Sequence, residues 1–313
     1  MRKKNTKFLT LKKQIFMINT ILKKTLTISF ISIVTLASCS DQETTDLEEA
    51  ENATSLPETS DKRSSTDCSI IPYDSFTNNE DISFVLDNSK IQTSWESDQK
   101  IGDLDMKLDV STICQETFYY ADTDTEGRSR LILKSTGEDS SRTELRADQE
   151  FEWDGDDKKL YLQAALSNIV CEDERKGATV AQIHHNSGKD AKPLIRVEIV
   201  LIDGDEWFQA TRRDDPYGSA DDTSYEKIPL ARYHSGNIYD ITLETRNGEG
   251  RATVSNTSKS GDDDEGEYHF DLPSDWDDDD ENFYFKVGIY QQTECDEDAY
   301  NPKIAIYDMK YTY

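Results

Sequence analysis

Positive charge is what this chain lacks most. Its 313 residues hold 35 Lys and Arg against 64 Asp and Glu, a formal charge of −29 with His neutral. A field of that sign disfavours nucleic acid as a partner. Histidine is scarce, at four, and the five cysteines include no close pair. A zinc site is therefore the weaker reading of the cysteines. In an exported protein Cys68, Cys114, Cys171 and Cys295 form an even set that permits two disulfides in any of three connectivities. Long helical periodicity is also missing, as are internal repeats and any sign of a second domain. Long apolar runs are absent too, apart from residues 26–37. That run is too short, and too abruptly followed by polar sequence, to span a bilayer.

The run makes sense as part of a targeting segment. Residues 1–38 carry eight Lys or Arg and no acid, and Leu36-Ala37-Ser38-Cys39 places small residues before a cysteine. This reads as a lipoprotein signal, with Cys39 as the lipid-bearing first residue of the mature chain. Met17 is an alternative start, since Lys23 and Lys24 then form a compact basic region before the apolar run. Residues 39–66 are Ser, Thr, Glu and Asp with almost no large apolar side chain, which fits a disordered tether. Asp41 and Glu43 resemble the acidic signals that place some bacterial lipoproteins on the outer surface. The expected location is thus the outer membrane, surface-exposed or facing the periplasm, with a lipid anchor and a water-borne domain.

Residues 67–313 are enough for one large β domain with a sizeable core. Stretches 131–133, 160–162, 195–202, 238–243 and 304–313 read as strands, separated by Gly, Asn, Asp and Ser clusters. Many short strands with turns between them argue for an all-β sandwich. The acidic run Asp122-Thr123-Asp124-Thr125-Glu126-Gly127 starts like a calcium loop, but Leu133 stands where the closing glutamate belongs. Residues 262–265 and 277–281 read as solvated acidic loops. No metal and no cofactor is called for.

Three stretches do not fit a bare sandwich. In Tyr284-Phe285-Lys286-Val287-Gly288-Ile289-Tyr290-Gln291-Gln292, alternation puts Tyr284, Lys286, Gly288, Tyr290 and Gln292 on one face. Phe285, Val287, Ile289 and Gln291 take the other, which reads as core apart from its last member. Arg142-Thr143-Glu144-Leu145-Arg146 puts Arg142, Glu144 and Arg146 on one face, and Gln182-Ile183-His184 does the same with its two polar ends. In that order, R-T-E-L-R, Q-I-H and Y-F-K-V-G-I-Y-Q-Q resemble the signature strands of the alginate lyases of polysaccharide lyase family 7. The resemblance covers roughly residues 68–313. Val287 and Gln291 depart from it, standing where the family more often has alanine and asparagine.

The resemblance implies a β-jelly roll, concanavalin A-like, with a concave active-site groove. It implies β-elimination on a polyuronate, alginate or a relative such as glucuronan. Arg142, Gln182, His184 and Tyr290 would be catalytic, and Glu144, Arg146, Lys286 and Gln292 would bind substrate, with Glu144 orienting the arginines. The chemistry suits the groups. Removing the C5 proton of a uronate piles charge beside a carboxylate, which a bidentate Arg142 and the Gln182 amide can neutralise. His184 can act as base or as a further carboxylate donor, and Tyr290 as acid, or as both acid and base on one side of the ring. Ile183 leans toward guluronate or mixed blocks.

Charge speaks against a polyanionic substrate, because residues 39–313 hold 27 bases against 64 acids, or −37. A local cationic face of Arg142, Arg146 and Lys286, with Arg196, answers this within about 8 Å screening. Two further readings stay open. A surface glycan-binding lipoprotein would rely on aromatic platforms, and Trp207 is the candidate for stacking, Trp95, Trp153 and Trp276 reading as core. A glycoside hydrolase needs two carboxylates, and Glu144 is the one acid in the motifs, held ionised between arginines. His185, His234 and His269 read as structural, and the chain as a monomer.

Overall fold

The computed structural model describes residues 72–93, 108–109, 118–135, 141–167, 169, 176–186, 192–216, 225–259, 261, 263–276, 282–292 and 302–313. They all belong to one compact unit, residues 62–313. The signal, Cys39, the tether, Trp95, all four remaining cysteines and residues 277–281 lie outside the described residues.

Period-2 alternation builds two antiparallel sheets. The first contains β1 (Ser89–Thr93), β2 (Leu108–Asp109), β5 (Arg142–Ala147), β7 (Lys176–His185), β8 (Pro193–Ile202), β9 (Asp205–Arg213), β10 (Tyr225–Arg232) and β14 (Phe283–Gln291). Its spatial order is β10-β9-β8-β7-β14-β5-β1-β2. The second contains β3 (Tyr119–Thr123), β4 (Ser129–Lys134), β6 (Lys158–Ser167), β11 (Ile238–Arg246), β12 (Glu249–Asn256), β13 (Glu265–Asp271) and β15 (Lys303–Thr312). Its order is β13-β12-β11-β6-β15-β4-β3. Toward the edges neighbours follow one another in sequence, but at the centre of each sheet β7-β14-β5-β1 and β11-β6-β15-β4 join strands distant in sequence, as in a Greek-key or jelly-roll sandwich.

The inner faces supply the core. Ile183, Ile195, Phe208 and Phe285 of the first sheet and Leu160, Leu162, Ile241 and Ile304 of the second are all fully buried. Each contributes about 1.5–3 kcal/mol relative to exposure. Tight hairpins hold the register. Asp203 and Gly204 (φ 53° and 91°) and Asn247 and Gly248 (φ 52° and 78°) take left-handed conformations at consecutive positions. That is the type I′ geometry whose twist matches a hairpin.

Two details differ from the reading of the sequence. A helix, α1 (Glu80–Asp87), precedes β1 and buries Ile82, Val85 and Leu86. Its start was legible: Asn79 caps it, accepting from the Ile82 N–H at 3.1 Å, and two acids fill the first turn. Gln291, taken as the exception on the core face, is fully buried; its N–H donates to the Ser141 carbonyl at 2.8 Å. The Asp122–Gly127 run forms the β3–β4 turn. Asp124 Oδ1 accepts from the N–H groups of Glu126 and Arg128, each at 2.9 Å, and Oδ2 from Arg128 Nε at 2.8 Å. That carboxylate serves the turn.

β14 is central, and one residue decides its path. Against β5 its register is unbroken from Lys286 to Tyr290. Against β7, Val287 pairs with Ala181 but Tyr290 pairs with Thr179, so β14 carries an extra residue there. Gly288, with φ 149°, lies inside this bulge, and a Cβ on it would meet the Thr143 carbonyl oxygen at 2.3 Å. Only glycine fits. Gly288→Ala is expected to destabilise the fold by about 2 kcal/mol or more through strain and backbone displacement, measured by denaturant unfolding; Gly127→Ala, at φ 83° but in open space, should cost less and isolates the left-handed strain from the clash.

Candidate active site

Three neighbouring strands, β7, β14 and β5, bring the three motifs side by side. Across them Gln182 pairs with Lys286, and Lys286 with Arg146. Moving along β14, Gly288 pairs with Glu144 and Tyr290 with Arg142. In the other direction Tyr284 pairs with His184. The face therefore runs from a histidine–tyrosine end, through a band of cations, to an arginine–tyrosine end.

Burial sorts these residues into two layers. Glu144, Gln182 and Lys286 are 1, 2 and 3 % exposed, and Arg146 is 8 %. Arg142, His184, Tyr290 and Gln292 are half-buried and meet solvent. Glu144 was expected to bind substrate. At this depth its carboxylate lies beneath the solvent-facing polar groups and touches its neighbours instead. Its Oε1 accepts from Gln182 Nε2 at 2.5 Å. Its Oε2 stands 4.0 Å from Arg142 Nη1 and 3.9 Å from Lys286 Nζ. A carboxylate can only accept, so the Gln182 NH₂ must face it, which leaves the second amide proton for a ligand.

At one end, His184 is held on two sides. Its Nδ1 lies 2.9 Å from the His185 carbonyl oxygen and 3.1 Å from the Tyr284 hydroxyl. A carbonyl only accepts, so Nδ1 carries a proton, and in the neutral ring the lone pair then sits on Nε2. The Tyr284 ring stacks on the imidazole at 5.2 Å, and the Arg146 guanidinium caps the other ring at 4.1 Å. Burial, and then the charges of Lys286, Arg142 and Arg146, hold His184 well below the usual imidazole range. The neutral form of the ring is the favoured one.

At the other end, Arg142 lies 4.4 Å over the Tyr290 ring. Gln292 donates its amide to Thr179, the partner of Tyr290 on β7. The described residues thus reproduce the whole motif set on one face. Residues 84–312 match the protein family described as alginate lyase. The chain belongs to the alginate lyase family. Among solved structures, it is similar to the alginate lyase from Klebsiella pneumoniae, with a TM-score of 0.57 and 13 % identity over 74 % of this chain and 96 % of that one. Alginate lyase AlyC3 gives 0.58 and 18 %, covering 75 % and 93 %. Alginate lyase A1-II′, described as a member of polysaccharide lyase family 7, gives 0.53 and 16 %, covering 72 % and 95 %. At such identities the likeness is one of fold, the jelly roll. No curated protein sequence matches the chain.

In this alginate lyase family member the polar face continues past the motifs. Arg196 pairs with Gln182 in register and lies 3.6 Å from Glu198. Glu198 accepts from Thr211, and from Gln209 at 3.2 Å. Arg213 stands 4.9 Å over the Tyr225 ring. Sequence reading placed Arg196 in the cationic face and Tyr284 in the polar row without a role of its own, and passed over Glu198, Gln209, Thr211 and Thr179. The alternation Gln209, Thr211, Arg213 was the available signal. Trp207 shares that face, half-buried, with Arg232 at 5.8 Å; Trp153 and Trp276 are core. His185 is core as well, edge-on to Trp276 at 5.5 Å, while His269 is exposed beside Glu267.

Because the native state holds His184 neutral, it binds fewer protons than the unfolded chain below about pH 6.5. This contribution to stability is complete above that pH and declines as pH falls below it. The ring ¹⁵N shifts of His184 are expected to report a neutral Nδ1–H imidazole at pH 6, where an unperturbed histidine is mostly protonated. A titration centred near 6.5 contradicts the assignment.

Proposed function

We propose that this protein is an alginate lyase that cuts the 4-O-glycosidic bond of a polyuronate by β-elimination. The C5–H bond breaks, its electrons form the C4–C5 double bond, and the C4–O bond breaks as the leaving oxygen takes a proton. The product ends in a 4,5-unsaturated uronate. The observation that carries this reading is the layering. A histidine, a tyrosine and an arginine reach solvent above buried Glu144, Gln182 and Lys286, with Glu144 beside the arginine and Lys286 supplying positive charge.

Arg142 meets the substrate carboxylate, aided by the remaining Gln182 amide proton. Lys286, nearly buried, acts through its field. Both oppose the charge that develops when C5 loses its proton, usually the largest catalytic contribution. His184 offers the Nε2 lone pair as base. Tyr290, at the far end of the cation band, protonates the leaving oxygen, and takes the C5 proton itself when both lie on one side of the ring. Arg146 and Gln292 hold neighbouring sugars. Guluronate or mixed blocks are the proposed preference. Ile183 faces the core and is fully buried, so it acts on that preference only by shifting its neighbours. The fold is known with more than one ligand: A1-II′ has been solved with a product written GGG and AlyC3 with dimannuronate.

Residues 40–313 incubated with alginate are expected to produce the ultraviolet absorption of the unsaturated uronate. Tyr290→Phe and His184→Ala should each lower kcat by about 10²–10⁴-fold, with guluronate-rich and mannuronate-rich blocks giving the preference. No absorption from folded protein on alginate or glucuronan overturns the reading. Export as a Cys39-lipidated protein is part of the proposal, supported by residues 1–39 alone. Cys39→Ser should then release the chain from the membrane fraction, and an unchanged distribution would refute the anchor.

A further inference from the structure

The opposite sheet carries a cationic patch that elimination does not use. Along β4, Leu131 and Leu133 point into the core, so Arg130, Ile132 and Lys134 point outward. On β15, Lys303 sits directly opposite Lys134 and Ala305 opposite Ile132; on β3, Tyr120 sits opposite Ile132 from the other side. Ile132 and Ala305 are 0 and 2 % exposed yet lie outside the core between the sheets. They form an apolar floor on an outer face, flanked by half-buried Tyr120, Tyr307 and the two lysines.

The charges around this floor are unevenly matched. Arg130 is satisfied: Nε and Nη2 bind Asp122 at 2.5 and 3.0 Å, and Tyr307 accepts a further hydrogen bond. Arg128, 4.7 Å over the Tyr307 ring, is paired with Asp124 and Glu126. Lys134 and Lys303 form no ion pair among the described residues; Lys134 Nζ instead lies 5.3 Å over the Tyr120 ring. Burial holds both ammonium groups below the usual lysine range, joined on Lys303 by the charges of Arg130 and then Lys134, while the Asp122 carboxylate, already bound to Arg130, partly offsets the effect on each. Like charges directly opposed across strands are destabilising. Two opposed lysines with no direct ion pair among the described residues, next to an Asp122 carboxylate already taken by Arg130, are therefore the local feature that an anion would relieve.

We propose that this face is a second binding site, remote from the reaction, for a carboxylated polysaccharide. Uronate carboxylates would bridge Lys134 and Lys303, and a sugar ring would lie against Tyr120. Half-buried cations beside half-buried aromatic rings on this outer face suit an extended polymer of repeating carboxylates better than a small anion, which would meet only the charges. Such a site would hold the polymer while the other face cuts it. Choosing alginate as the probe rests on the proposed reaction; the site itself does not.

The test uses Tyr290→Phe protein, to stop cutting, with and without Lys134→Ser and Lys303→Ser. Zero-length carbodiimide coupling to alginate, followed by peptide mapping, should find both lysines joined to the polymer. Retardation in an alginate-containing native gel should fall several-fold in the double lysine variant. With Tyr290 intact, the lysine variant should cut short oligomers at the unchanged rate and long alginate with a several-fold higher KM. Neither lysine coupled and retardation unchanged overturns the site, whatever the protein cuts. Equal retention on phosphatidylglycerol vesicles overturns it in favour of a membrane surface. Coupling in a protein that cuts nothing would instead sink the lyase reading and keep the site.

Discussion

The face that carries the chemistry depends on one buried carboxylate. Glu144 is almost inaccessible, and an uncompensated charge at that depth would be costly. Its environment is built to hold it: Gln182 donates to one oxygen, and Arg142 and Lys286 stand about 4 Å from the other. Three strands meet at this carboxylate, so it also fixes the relation between the motifs. Taking it away would leave Lys286 buried beside other cations, a loss on the order of 3–5 kcal/mol for a broken buried pair. The same arrangement sets the chemistry. Glu144 draws Gln182 and Arg142 into place, while burial, with the positive charge around it, lowers the His184 pKa.

The acidity of the whole chain and the cationic character of this face are compatible because they act over different distances. Exposed charges are screened within about 8 Å at physiological salt. Lys286, Arg146 and Arg142 lie within one patch and partly under its surface, where solvent screens them less. The acids of loops and the outer edge contribute a diffuse field that a bound polymer would meet only on approach.

Much of the fold was written in the sequence. Period-2 alternation marked the principal strands because a sandwich buries one face of each. The three motifs could be placed on strand faces because side chains alternate strictly. What local pattern missed had local causes too. Helix α1 is short, so its two turns were overlooked despite a clear Asn79 cap. Tyr284 looked like one more member of a row until its hydroxyl and ring were seen against His184. The Glu198, Thr211 and Gln209 network is spread over two strands with no motif to join it.

The sequence by itself determined the residue types, the side of each strand they occupy and the family to which they belong, because those depend on local alternation and on short motifs. Tertiary structure decided depth and neighbours. Only the pairing of β5 with β14 puts Glu144 beside Lys286. Only the bulge at Gly288 sets the register of Tyr290 against β7, and only the meeting of β4 with β15 places Lys134 opposite Lys303. Those relations join residues more than a hundred positions apart, and no local pattern encodes them.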